Sequence, residues 1–388
     1  MDQARWLSVV VAAALAGCMG VSDPALVTVA LSAGPPTYPA DGGGAVDAGA
    51  AVDGGLGDAG AMDAGTVDGG SDPCAGVTCG AGARCEPSNQ QCVCLPGYMQ
   101  GATGCEPLMP GTPATRTQSE VCTAWDTAQQ RRAAGDGFTA STMTCDPGTL
   151  SRAALDDGLG RLNFFRWLVG LAPTSDSATD NDAAQKCALV SAWNPAGPAA
   201  HSPPSSATCY TPEGAAGAGS SNIAWGAADA ADAIDLWMID FGNETTFGHR
   251  RWLLNPPLNP VGIGHYRGGN NYGSASCIRV FGGAGGGPTP NWLAFPPPGY
   301  VPQQLALWHW TVHGNIPLNG TTATVTRVSD GAAMPIQFQI LSGFYGQAAA
   351  SLLRDGWNPV AGESYRVRIT GQGGAGTIEY DVKPVNCQ

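Results

Sequence analysis

The sequence predicts an α+β protein built from three successive regions: one rich in disulfides, one mixing helices with strands, and one composed mainly of strands. Six cysteines lie between Cys74 and Cys105. Apolar residues then recur at helical intervals between residues 150 and 241, and short alternating segments separated by Gly and Pro turns follow residue 290. Together these three patterns predict the fold class.

The composition excludes one class of partner. The chain has 388 residues and a formal net charge of −13, and only 13% of its residues are charged. Proteins bind nucleic acid through a basic face that neutralises phosphates, so this acidic balance argues against a nucleic-acid partner. The 56 glycines and 30 prolines indicate a loop-rich surface with few long amphipathic helices.

Residues 1–18 have the features of a secretion signal. Arg5 precedes an apolar run from Trp6 to Ala16, and Leu15-Ala16-Gly17-Cys18 resembles a bacterial lipobox, whose cysteine is diacylated and becomes the mature N-terminus. The run is shorter than the roughly 20 residues of a membrane-spanning helix. We therefore expect an exported protein anchored to the membrane by lipid on Cys18; a different signal peptide with a chance cysteine is the alternative. Met19, rather than Asp, after Cys18 implies the outer membrane or cell surface.

Residues 19–72 are predicted to be a disordered acidic tether. From residue 41 onward this segment consists mainly of Gly, Ala, Asp and Val, with an aspartate every five or six residues. Such a segment cannot bury enough apolar area to offset the cost of ordering its backbone, and its like charges extend it.

The first cysteine cluster, together with Leu95-Pro96-Gly97-Tyr98, resembles an EGF-like module over residues 73–106. So short a region needs covalent cross-links in place of a core. Spacing alone leaves fifteen connectivities open. A zinc site is the alternative, but the nearest histidine is His201. The resemblance implies the pairs Cys74–Cys85, Cys79–Cys92 and Cys94–Cys105.

The mixed region contains three predicted helices and two predicted strands. Leu155, Leu159, Leu162 and Phe165 are spaced as on one helix face, and Asp180 or Asn181 is the expected N-cap of the second helix. The helices cover residues 150–171, 180–193 and 227–241, and the strands cover residues 261–264 and 276–281. Its five cysteines and Cys387 of the C-terminal region are expected to pair sequentially, as Cys122–Cys145, Cys187–Cys209 and Cys277–Cys387.

Residues 290–388 resemble an immunoglobulin-like β-sandwich. Residues 305–313 alternate, which predicts a strand with His309, Thr311 and His313 on its water-exposed face. Two separate surface histidines are therefore expected rather than a metal site. A Gly-x-Gly-x-x-Gly sequence over residues 371–376 joins two predicted strands, so it is interpreted as a hairpin loop and not as a dinucleotide-binding motif.

Three short segments resemble, in order, the motifs of the CAP superfamily, also called SCP/TAPS. They are Ala200-His201-Ser202-Pro203, Ser221-Asn222-Ile223-Ala224, and residues 247–256, which begin Phe-Gly-His-Arg-Arg-Trp. The resemblance covers residues 116–285 and implies an α-β-α sandwich with a cleft that holds two His and two Glu. His201 and His249 match the two histidines.

The cleft departs from the family pattern at its acids. Ser221 occupies the position of one glutamate, and the second acid is either Asp240 or Glu244. Two imidazoles with a carboxylate could hold a zinc ion with an open position, or act as a general acid/base pair. Ser221, however, cannot serve as the carboxylate base that a hydrolytic water needs. Polar contacts that hold loops around a groove are the third interpretation.

Arg250 and Arg251 follow His249 directly. We expect one of them to anchor the loop through a carboxylate such as Asp240, and the other to be solvated. An anion site for an acidic polymer or lipid headgroup is the alternative.

The sequence thus predicts a lipid-anchored extracytoplasmic protein that binds a lipid, peptide, envelope-derived ligand or protein partner without catalysis. The expected ligand-binding cleft consists of His201, Ser221, Asn222, His249 and Arg250. The alternative is a metal-assisted hydrolase of peptides or envelope polymers that uses His201, His249 and one acid, with zinc as its cofactor. No Gly-x-Ser-x-Gly, Walker or His-Glu-x-x-His motif occurs in the sequence.

Overall fold

The computed structural model describes residues 74–387, except for residues 81, 87–89, 110, 131–135, 141–143, 270–271, 282–288, 315–317, 344 and 372–376. The predicted signal over residues 1–18, the lipidation site Cys18 and the predicted tether over residues 19–72 lie outside the described residues. None of the helices in the described part is both long and apolar enough to span a bilayer.

The disulfide-rich region, residues 74–107, consists of two short hairpins. Strands β1 (Ala83–Glu86) and β2 (Gln91–Cys94) pair antiparallel, as do β3 (Tyr98–Gln100) and β4 (Cys105–Pro107). Three disulfides substitute for a core that so few residues cannot form. They join Cys74 to Cys85, Cys79 to Cys92 and Cys94 to Cys105, which is the pairing that the resemblance implied.

In the mixed region, residues 113–281, the described residues form six α-helices. They are α1 (Gln118–Gln130), α2 (Arg152–Leu168), α3 (Ala178–Trp193), α4 (Pro212–Gly219), α5 (Ala230–Ile239) and α6 (Gly248–Leu253). Helices α2, α3 and α5 are the three that the apolar spacing predicted. The predicted N-cap of α3 was wrong: the Ser177 hydroxyl accepts from the Asp180 backbone N–H, so the cap is Ser177 and Asp180 lies in the first turn. Short 3₁₀ helices cover Pro113–Thr115 and Pro198–His201.

Two small antiparallel sheets complete the mixed region. One pairs β5 (Phe138–Thr139) with β6 (Thr149–Leu150). The other has the order β7 (Ser221–Trp225), β9 (Ser274–Arg279), β8 (Gly262–Arg267). Helix α3 packs directly on β8, because a Cβ at Gly262 or Gly264 would overlap the α3 backbone at Asp180 or Ala184.

The C-terminal region, residues 289–387, is rich in strands. One sheet has the order β10 (Trp292–Phe295), β12 (Trp310–Gly314), β16 (Ala348–Arg354), β15 (Ile336–Ile340). The other has the order β11 (Gly299–Pro302), β18 (Thr377–Val385), β17 (Tyr365–Thr370), β13 (Thr322–Arg327), β14 (Ala333–Met334). Because β17 and β18 pair antiparallel through Thr370 and Thr377, residues 371–376 connect adjacent strands, as the hairpin interpretation requires.

Residues 305–313 do not form one strand. A short helix, α7 (Gln303–Ala306), precedes β12, which begins only at Trp310. The predicted water-exposed face was also wrong, because Thr311 and His313 are almost completely buried. A guanidinium from the mixed region covers that face: Arg250 donates to the Thr311 hydroxyl at 3.2 Å.

A continuous apolar core joins the mixed and C-terminal regions. The Phe165 ring of α2 lies 6.1 Å from the Phe295 ring and 5.8 Å from the Trp308 ring, measured between centroids. Phe165 and Phe295 are fully buried members of the largest hydrophobic cluster of the described residues, and the partly buried Trp308 packs against it. The C-terminal region is therefore packed against the helices and is not held only by a linker.

Sequential pairing of the remaining cysteines was wrong. Cys122–Cys145, Cys187–Cys209 and Cys277–Cys387 do not form, because the tertiary packing brings other cysteines together. Helix α3 lies on the β7-β9-β8 sheet, which places its Cys187 against Cys277 of β9. The last strand ends beside α1. The observed pairs are Cys122–Cys387, Cys145–Cys209 and Cys187–Cys277.

Candidate functional site

The loop between α5 and α6 turns back on itself at Asp240. Asp240 ends α5 in the left-handed conformation, with φ of 53°, and its backbone N–H donates to the Leu236 carbonyl. Asp is one of the few residues other than Gly that adopt this conformation readily. Two further turns, closed by the Asn243 and Phe247 backbone N–H groups, lead into α6. The reversal brings His249, in the first turn of α6, back over the Asp240 side chain.

The Asp240 carboxylate fixes the orientation and the tautomer of His249. Asp240 is fully buried, and its Oδ1 accepts from His249 Nδ1 at 2.8 Å and from Asn243 Nδ2 at 3.2 Å. Its Oδ2 accepts from the Arg250 backbone N–H at 3.2 Å. Because the Asp240 carboxylate accepts from Nδ1 of His249, Nδ1 carries a proton, and in the neutral imidazole Nε2 presents a lone pair.

Only one of the two candidate acids belongs to this arrangement. Glu244 accepts a hydrogen bond from the Gly242 backbone N–H at 2.8 Å, and its Oε1 lies 3.9 Å from Nε2 of His309. Asp240 is thus the acid that contacts a cleft histidine. Glu244 lies near His309 instead.

His201 is held in a similar way by a backbone group. It ends the 3₁₀ helix Pro198–His201, and its Nδ1 lies 3.0 Å from the Ala218 carbonyl oxygen, to which it must donate. Burial, together with a smaller effect of His249, lowers the pKa of His201, so its imidazole is neutral at pH 7. Nε2 of His201 is therefore also an acceptor.

Both histidines line one small cavity of about 30 Å³, whose wall also includes Ser221, Asn222 and Tyr345. Asn222 donates its side-chain N–H to the His249 carbonyl at 3.1 Å and so supports α6. Within the described part of the chain, three buried polar atoms of this wall have no hydrogen-bond partner: Ser221 Oγ, His249 Nε2 and Tyr345 Oη. A cavity of this size holds about one water molecule, which needs two to four polar partners.

Three aromatic rings surround the cavity. The half-buried Trp252 contacts Phe281 edge-to-face at 4.5 Å and Tyr345 at 6.2 Å, measured between centroids. No sequence motif indicates Tyr345, because it comes from the C-terminal region. The one local signal is Gly248: a Cβ there would lie 2.8 Å from the Tyr345 ring, so α6 must begin with glycine for that ring to fit.

Arg250 anchors its surroundings through carbonyl groups, not through a carboxylate. Its fully buried guanidinium donates to the carbonyls of Met238, Ile239 and His309 and to the Thr311 hydroxyl. Only its backbone N–H contacts Asp240, so the predicted side-chain ion pair was wrong. Burial lowers the pKa of Arg250 to about 9, which leaves the guanidinium charged at pH 7.

One of the two arginines was predicted to be solvated, and this too was wrong, because Arg251 is buried like Arg250. Arg251 is 2% exposed, and its guanidinium lies 5.2 Å above the Tyr345 ring. Because one planar guanidinium can span several acceptors, Arg251 holds the loop that carries Tyr345 against α6. Its acceptors are the carbonyls of Thr246, Ser342, Gly343 and Gln347.

The cleft does not provide the ligands of a catalytic zinc site. Such a site uses three protein ligands, and no group of three or more His, Cys, Asp or Glu side chains suited to a metal occurs among the described residues. The cavity wall offers two imidazole nitrogens but no carboxylate. Asp240 is not available as a third ligand, because its oxygens already accept from His249, Asn243 and Arg250.

Comparison with known families supports a CAP superfamily domain in this part of the chain. Residues 159–281 match the model of CAP, the Cysteine-rich secretory protein family. The match runs from α2 past β9 and includes His201, Ser221, Asn222 and His249. A search of curated proteins and a search of solved structures found no match.

We expect Arg251→Lys to lower the free energy of unfolding by about 2–3 kcal/mol, because one ammonium cannot reach four carbonyls and buried carbonyls lose their donor. Urea unfolding followed by fluorescence measures this. Arg327→Lys is the control, since Arg327 is only partly buried and its guanidinium pairs with Asp330 at the surface, and its midpoint should match the wild type. An Arg251→Lys protein as stable as the wild type would contradict the assigned role.

Stability is expected to fall as the pH is lowered from 6.5 towards 5. Burial lowers the pKa of His201, His265, His309 and His313, to about 4 for His309. Below the unfolded value of about 6.5 the unfolded chain binds more protons than the folded chain, so protonation favours unfolding. Urea midpoints at pH 7, 6 and 5 measure the slope, and His313→Gln should make it shallower. A midpoint independent of pH over this range would refute the argument.

Proposed function

We propose that this chain is an exported binding protein without catalytic activity, whose CAP cleft accepts one polar group of its ligand. The observation that carries this proposal is the pairing of both cleft imidazoles through Nδ1 with fixed acceptors, the Ala218 carbonyl and the Asp240 carboxylate. Both Nε2 atoms are left as acceptors in a site with no acid in its wall. Such a site can bind a donor group of a ligand.

The size of the cavity limits what enters it. Pockets that enclose a small-molecule ligand measure about 300–1,000 Å³, roughly ten times or more this cavity of about 30 Å³. An acyl chain or a peptide side chain would have to remain outside, against the aromatic rings of Trp252 and Phe281. A lipid, peptide or envelope-derived ligand is therefore held at this cavity through a single polar group.

The hydrolase alternative has less support. A hydrolytic reaction needs a base for the water and a group that stabilises the developing oxyanion. Ser221 stands where the family pattern has a carboxylate, so an imidazole Nε2 is the base that this wall offers. The terminal nitrogens of Arg250 and Arg251, the nearby cations, donate to carbonyls and to a hydroxyl of the protein.

The export and anchoring of the chain form part of this proposal. Twelve cysteines form six disulfides, which is typical of an exported protein. This leaves Cys18 as the thirteenth cysteine, at the end of the proposed lipobox. Lipid on Cys18 would anchor the chain at the outer membrane, the segment 19–72 would be the tether, and the EGF-like and immunoglobulin-like regions would hold the cleft away from the surface.

Incubation of the full-length chain with a lysozyme digest of peptidoglycan and with an outer-membrane lipid extract tests the function. We expect the wild type to retain a component that His201→Ala and His249→Ala bind at least tenfold more weakly, as measured by equilibrium dialysis and mass spectrometry. His309→Gln, outside the cavity wall, is the matched control and should bind like the wild type. Hydrolysis of peptidoglycan or casein that requires His249 would overturn the proposal, as would equal retention by all variants.

A further inference from the structure

Tyr345 brings the C-terminal region into the wall of the histidine cavity. It lies in the loop between β15 and β16, and its side chain faces the same cavity as His201 and His249. The residue is 7% exposed, and its hydroxyl has no hydrogen-bond partner among the described residues. A buried hydroxyl without a partner costs about 1–3 kcal/mol, so this hydroxyl is available to bond a group that enters the cavity.

Two glycines hold the Tyr345 ring in place. A Cβ at Gly248 would lie 2.8 Å from ring atom Cε1, and a Cβ at Gly343 would lie 2.5 Å from ring atom Cε2. Real Cβ atoms do not approach other atoms so closely, so only bare backbone fits on these sides of the ring. The ring therefore occupies a slot that any larger residue at either position would close.

One cation–π contact and one aromatic contact complete the slot. The Arg251 guanidinium covers the ring at 5.2 Å and binds three carbonyls of the same loop, those of Ser342, Gly343 and Gln347. Trp252 meets the ring edge-to-face at 6.2 Å. The position of the hydroxyl is thus fixed by Gly248, Gly343, Arg251 and Trp252, as expected for a group that contacts a ligand.

The polar atoms of the wall define the group that would satisfy them. The two imidazole Nε2 atoms can only accept, whereas the hydroxyls of Tyr345 and Ser221 can donate as well as accept. Burial raises the pKa of Tyr345, so the phenol remains protonated and able to donate. A ligand atom that both donates to an imidazole and accepts from the phenol fulfils these requirements, and an alcohol oxygen does both.

Charged groups fit this wall less well. A carboxylate has no proton to offer the two imidazoles. An ammonium has protons, but the Arg251 guanidinium behind the Tyr345 ring places a like charge near this wall, and like charges in a poorly solvated site repel. A neutral hydroxyl avoids both penalties.

We infer that Tyr345 is a ligand-contacting residue that makes the cleft selective for a hydroxyl group. This inference rests on the proposed binding function and names its ligand class: a neutral ligand bearing an alcohol, such as a sugar or the glycerol of a lipid headgroup. The C-terminal region is then part of the binding site, because Tyr345 supplies the hydroxyl that donates to the alcohol oxygen.

Solvent-probe NMR on the full-length chain with ¹⁵N-labelled histidine tests this selectivity. Methanol, methylammonium chloride and acetonitrile are similar in size and differ in donors, acceptors and charge. We expect methanol to shift Nε2 of His201 and His249, and Tyr345→Phe to weaken the apparent methanol affinity about 3- to 10-fold. Tyr380→Phe is the control, since Tyr380 is also buried with an unpaired hydroxyl but lies outside the cavity wall.

Equal binding of all three probes, preference for methylammonium, or unchanged methanol binding by Tyr345→Phe would overturn the inference. Methyl β-D-glucopyranoside and glycerol, added in parallel, distinguish a sugar hydroxyl from that of a lipid headgroup, since the natural class should bind more tightly than methanol. The binding function is tested separately. If the chain retains an envelope component in a histidine-dependent way but shows no preference for methanol, only the inferred hydroxyl selectivity is wrong. Loss of that retention removes the function.

Discussion

A buried carboxylate at the end of α5 determines the geometry of the cleft. Asp240 is excluded from water, and an ion buried without partners would cost several kcal/mol, so the chain must return donors to it. Residues 243, 249 and 250 supply those donors within one tight loop. The carboxylate thereby fixes the direction of α6, the tautomer of His249 and the position of the two arginines that follow. The cavity is a consequence of this one charged centre.

The two arginines connect that centre to the C-terminal region. Arg250 reaches β12 through the His309 carbonyl and the Thr311 hydroxyl, and Arg251 reaches the loop that carries Tyr345. Both side chains have lost their solvation and donate to neutral oxygens, so the contacts that hold the regions together are directional hydrogen bonds more than ion pairs. Together with the ring packing of Phe165 on Phe295, they make the strand-rich region part of the site's wall and not a spacer alone.

Sequence patterns predict those features of the structure that depend on residues close together in the chain. The positions of α2, α3 and α5 follow from apolar spacing, and the order of the histidine motifs indicates a shared cleft, in which the structure places His201 and His249 in one cavity wall. The remaining features depend on contacts distant in the chain. Alternation around His313 shows which residues share a face, but not that Arg250 covers it. Cysteine order does not show that α3 lies on β9, and no motif marks Tyr345, because its role depends on a slot formed by Gly248.

The central claim is that Asp240 holds His249 as the neutral tautomer protonated on Nδ1, with a free lone pair on Nε2 in the cavity. Histidine-selective ¹⁵N NMR of the full-length chain near pH 7.5 tests this most directly, because the chemical shift of each imidazole nitrogen reports whether it carries a proton. The account predicts a protonated Nδ1 and an unprotonated Nε2 for His249, with the same pattern for His201. A proton on Nε2 of His249, or an imidazolium at that pH, would contradict it.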